Sequence, residues 1–102
     1  MIRWIKWLKK IPSVVQLSRR GKYEVVWTDT IKNDTDVLGE TRFDPKQIVI
    51  KTNESPKETV HTYVHEILHA ISAEYDVNLT EAQVRKLEKA LYYIIKDGNI
   101  FK

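Results

Sequence analysis

The sequence predicts a small α+β domain: a three-stranded sheet packed on one central helix, a C-terminal helix beside it, and a short N-terminal amphipathic helix. Three observations predict it. Val60, Val64, Ile67, Leu68 and Ile71 recur at intervals of three and four, the period of a helix with one apolar stripe. Val84, Leu87, Leu91, Ile94 and Ile95 repeat that pattern further on. Upstream, residues 23–28, 38–43 and 47–52 are short runs with strand character, bounded by polar turns.

In chain order, residues 1–11 place Trp4, Trp7, Leu8 and Ile11 on one helical face and Arg3, Lys6, Lys9 and Lys10 on the other. Pro12 and Ser13 end that helix. A membrane-surface contact, a nucleic-acid contact or a plug over a cleft are functional readings of this segment. The preferred reading is packing of the tryptophans on the domain, because so small a core recruits all the apolar area it can. Residues 14–21 are ambiguous, and Ile31 to Asp36 reads as a polar loop. Its aspartates lack the glycine and the bidentate glutamate of a calcium loop. A hairpin is expected across Asp44-Pro45-Lys46, with Ile48 and Ile50 on one face and Val49 and Lys51 on the other. Ser55-Pro56 with Glu58 supplies an N-cap, a first-turn proline and a capping box for the central helix, which runs to about Tyr75. Asp76-Val77-Asn78 breaks it, and Thr80 with Gln83 caps the last helix. Asp97-Gly98-Asn99 ends that helix.

The 102 residues suit a single domain, and 42% apolar with 30% charged residues is a soluble, globular composition. No run reaches the length of a membrane-spanning helix. There is no cysteine, so disulfides and thiolate ligands are excluded and any zinc site must use histidine and carboxylate. With no secretory pattern, a cytoplasmic protein is expected. The net charge of +3 is uneven: residues 1–22 carry seven Lys/Arg and no acid, leaving −4 for the rest. The basic character thus belongs to the N-terminal segment, and nucleic acid is not expected as a partner of the remainder.

Within the central helix lies His65-Glu66-Ile67-Leu68-His69, an H-E-x-x-H sequence. Histidines four apart on a helix lie one turn above each other, so both rings can reach one zinc ion. Glu66 projects to the rim, where a carboxylate can take the proton of a zinc-activated water. His61 shares the face, but a straight helix spreads residues 61 to 69 over about 12 Å. It is therefore expected behind the ligands or exposed. A catalytic zinc usually has three protein ligands, so a carboxylate is needed. Glu81, in the first turn of the next helix, is the first candidate, and Glu88 on the same face is the second. A first-turn acid is also explained by the helix dipole alone. Glu74 is rotated off the face, and Asp76 lies almost two turns along.

A strand hairpin, then H-E-x-x-H on a helix, then a downstream helix bearing Glu, resembles a minimal gluzincin. It is also similar to small phage-type and ImmA/IrrE-like metallopeptidases. The resemblance spans roughly residues 38–95 and is most specific over 59–71. It implies His65 and His69 as zinc ligands, Glu66 as general base and Glu81 as third ligand. It also implies that the 47–52 strand, with Ile48, Val49 and Ile50, is the edge along which a peptide substrate lies. The basic, Trp-rich residues 1–22 become a candidate inhibitory segment. The chain departs from larger gluzincins in lacking a C-terminal subdomain, which leaves the transition-state tyrosine unassigned among Tyr75, Tyr92 and Tyr93. The expected function is a zinc-dependent, latent or active metallopeptidase. The alternative is a zinc-containing, non-proteolytic peptide-binding or regulatory module on the same scaffold.

Overall fold

The computed structural model describes residues 10–31 and 37–97. The architecture is α+β: four strands, β1 (Val14–Gln16), β2 (Lys22–Thr28), β3 (Gly39–Phe43) and β4 (Lys46–Lys51), then two helices, α1 (Pro56–Glu74) and α2 (Glu81–Asp97). The sheet order is β1-β2-β4-β3. β1 pairs antiparallel with β2, β2 parallel with β4, and β3 antiparallel with β4. The sheet is therefore four-stranded and mixed, not three-stranded. The added strand is Val14–Gln16, which is too short and too exposed to announce itself by alternation. The N-terminal helix expected over residues 1–11 falls almost wholly outside the described residues.

The core has two parts, split by α1. Ala70, with Tyr63 and Ile67, packs on Tyr23, Val25, Ile48 and Ile50 of the sheet. Val60, Val64 and Leu68, a helical turn apart, instead meet Val84 of α2, with Leu79, Leu91, Tyr92 and Ile95 around them. One helix thus serves two partners, and its apolar residues form a wide arc rather than a single stripe. On α2, Val84 is fully buried, whereas Leu87 is 41% exposed and lies off the contact face expected for it. Val49 faces away from Ile48 and Ile50 yet is also buried, so β4 is covered on both faces.

Both caps form as the sequence requires. Ser55 Oγ accepts from Glu58 N at 3.1 Å, with Pro56 in the first turn. Thr80 Oγ1 accepts from Gln83 N at 3.1 Å, and Gln83 Oε1 accepts from Thr80 N at 2.9 Å. Between the helices, Asp76 and Asn78 take positive φ of 53° and 48°, a conformation these short polar side chains tolerate. Leu79 N donates to Ser72 Oγ at 2.9 Å, which ties the returning chain to α1. Among the described residues, no helix is long and apolar enough to cross a membrane.

Candidate metal centre

His65 and His69 are one turn apart on the side of α1 that meets α2. Their rings lie edge to face, with centroids 4.9 Å apart and Nε2 atoms 3.2 Å apart. The short turn and the Thr80 cap start α2 so that Glu81 arrives beside them. Its Oε1 is 2.8 Å from His65 Nε2 and its Oε2 is 3.3 Å from His69 Nε2. One ligand atom from each of the three residues lies within 4.8 Å of the others.

On the far side of the His65 ring, Nδ1 is 2.8 Å from Glu88 Oε1. A carboxylate only accepts, so Nδ1 carries the proton, and Nε2 of a neutral ring presents a lone pair. The Nε2 atom faces a Glu81 oxygen and the Nε2 of His69. Atoms about 2.0–2.1 Å from a tetrahedral zinc stand about 3.3–3.4 Å from one another, close to the spacings here. Two imidazole nitrogens and a carboxylate are also a donor set that zinc accepts. These residues fit that ion.

Glu66 is 8% exposed and turned toward β3. Thr41 Oγ1 lies 2.8 Å from Glu66 Oε1 and 2.9 Å from its backbone oxygen, so its single proton is shared between two acceptors. Gly39 permits this approach: a Cβ there would stand 2.5 Å from Thr62 Cγ2 and 3.0 Å from Glu66 Cγ. Burial pushes the Glu66 carboxyl above its ordinary pKa, against the opposing pull of Thr41, His65 and His69. The group is a stronger base than an exposed glutamate. It opens on a cleft of about 410 Å³ shared with His65, Glu81, Leu38, Thr62 and Arg85.

The structure brings together His65, His69, Glu81 and Glu66. Glu88 lines the same cleft but meets His65 at Nδ1, whereas Glu81 meets it at Nε2. His61 stays outside the cluster, as the length of the helix requires. The expected substrate edge is corrected. β4 is enclosed by β2 and β3, and Ile48, Val49 and Ile50 are 0%, 1% and 0% exposed, so they have no surface to offer a peptide. The edge strand on this side is β3, which contacts α1. Tyr75 donates its hydroxyl to Leu17 O, Tyr92 stacks on His61, and Tyr93 is 62% exposed; none of the three lines the cleft. Sequence reasoning missed Thr41 and Gly39. The available signal was their alternation: two small residues at i and i+2, on the one strand face that must approach a helix closely.

Neither a scan against models of known protein families nor searches of curated proteins and of solved structures gave a match.

Proposed function

We propose that the chain is a zinc-dependent metallopeptidase in which His65, His69 and Glu81 hold the ion and Glu66 is the general base. One observation carries the reading: ligand atoms of His65, His69 and Glu81 converge within 4.8 Å, and two of the three residues, His65 and Glu81, line the same cleft as the buried Glu66. Zinc bound there supplies Lewis acidity, which brings the pKa of a water near neutrality and polarises a carbonyl. Glu66 takes the proton of the attacking water and returns it to the leaving amine. Thr41 holds the carboxylate in one orientation, and burial keeps its proton affinity high. The edge of β3 has backbone groups with which an extended peptide can pair, and this favours a peptide substrate over a small ester.

The test is metal analysis of wild type beside Glu66→Gln, with both incubated on a mixed peptide library. The amide is nearly isosteric and cannot accept the proton. Zinc content should be unchanged, while cleavage falls by roughly two orders of magnitude or more. Cleavage that survives Glu66→Gln removes this mechanism. A zinc-loaded wild type that cuts nothing would favour the non-proteolytic binding module instead.

A further inference from the structure

We infer that His61 and Glu88 are positioning residues for the ligand His65: His61 fixes the Glu88 carboxylate, and Glu88 fixes the tautomer and aim of the His65 ring. The inference rests on the zinc reading but not on peptide cleavage.

Glu88 divides its two oxygens between two rings. Oε1 is 2.8 Å from His65 Nδ1, and Oε2 is 2.8 Å from His61 Nδ1. The rings belong to residues one turn apart on α1, and Glu88 stands two turns beyond Glu81 on α2. A single carboxylate therefore spans the helix–helix seam and meets both Nδ1 atoms. Its side chain is 18% exposed and those of His61 and His65 are 25% and 22%, so these contacts are partly shielded from competing water. His61 is held in turn by stacking on Tyr92, with centroids 4.7 Å apart and planes 23° from parallel. Lys57 Nζ lies 5.9 Å from the centroid of the same tyrosine.

The arrangement has a competitor to exclude. Arg85 precedes Glu88 by three residues on α2 and lines the same cleft, a spacing at which Arg and Glu pair readily. With Oε2 held by His61, the carboxylate stays turned toward α1. His65 then keeps its proton on Nδ1 and its lone pair on Nε2, toward His69 and Glu81. His61 thus acts on a ligand it does not touch. Loss of an outer partner of a ligating histidine typically weakens metal binding by about 10–100-fold.

The experiment is zinc affinity by chelator competition on the full chain, together with ¹⁵N NMR of the His65 ring in the metal-free protein. Glu88→Gln leaves one acceptor for two rings. Its zinc affinity should fall by about 10–100-fold, and the His65 Nδ1–H tautomer should become mixed. His61→Phe keeps a ring to stack on Tyr92 but removes the donor, and binding should weaken by roughly tenfold. His61→Asn restores an N–H near the place of Nδ1 and should return the affinity to within a few-fold of wild type. Wild-type affinity and an unchanged tautomer in both Glu88→Gln and His61→Phe would overturn the inference. So would a His61→Asn protein as weak as His61→Phe, which would reduce His61 to packing. A wild type that takes no zinc overturns this inference and the proposed function together. Zinc affinity that follows the expected order without any peptide cleavage supports the positioning role and counts only against the peptidase.

Discussion

A buried carboxylate that must stay ionised and correctly aimed needs a partner, and Glu66 has Thr41. The hydroxyl comes from β3, across the seam between sheet and helix. Thr41→Val keeps the shape and the strand preference but removes the donor. A hydrogen bond to a charged group contributes about 1.5–3 kcal/mol, and each 1.4 kcal/mol is about tenfold in rate. We expect turnover to fall roughly tenfold or more at unchanged zinc content, measured as kcat beside metal stoichiometry. An unchanged kcat would show that Thr41 does not orient the base. His65, Glu66 and His69 could be read from the sequence because their chemistry lies within two helical turns. Thr41 shows in the sequence only through its alternation with Gly39, since its partner is 25 residues away and the fold brings them together.

At the scale of elements, Glu74 fastens the C-terminal end of α1 to the sheet, beside the Tyr75 bond to Leu17 O. Glu74 accepts from Tyr23 Oη at 2.7 Å and Ser18 Oγ at 3.2 Å, and pairs with Lys46 Nζ at 2.9 Å. Lys46 above all, then Tyr23, holds the Glu74 carboxyl below its ordinary pKa. Burial, followed by the bond to Glu74, pushes the Tyr23 hydroxyl well above its usual value. A carboxyl whose folded pKa is depressed contributes stability above its unfolded pKa and loses it as pH falls through the folded value. Wild type should therefore lose urea resistance on acidification below the ordinary glutamate range, and Glu74→Gln should lose less over the same interval. Equal acid slopes for the two proteins would show that the cluster does not couple to folding. The helices and their caps were readable because period and capping chemistry are local. The sheet order was not: β2 and β4 pair in parallel across an intervening strand, and no alternation within a strand names its neighbour. That is why Ile48, Val49 and Ile50 were expected at an edge and stand in the middle.

For the whole molecule, two halves meet at α1: a sheet that supplies Thr41 and, among the described residues, an edge at β3, and a second helix that supplies Glu81 and Glu88. Val84 sits fully buried in that helix contact, with Glu81 three residues before it and Glu88 four after, so packing and ligand placement are one geometry. Glu81 was the first candidate on the sequence because the short turn folds α2 back alongside α1. Glu88, the second candidate, meets His65 at Nδ1 rather than at the Nε2 that faces Glu81 and His69. The direct measurement is zinc stoichiometry by equilibrium dialysis for wild type, His65→Ala, His69→Ala and Glu81→Ala, each checked for folding by circular dichroism. One zinc per wild-type chain, none in either histidine variant and sharply weakened binding in Glu81→Ala is the expected result. A folded wild type that holds no zinc, or histidine variants that retain one equivalent, would contradict it.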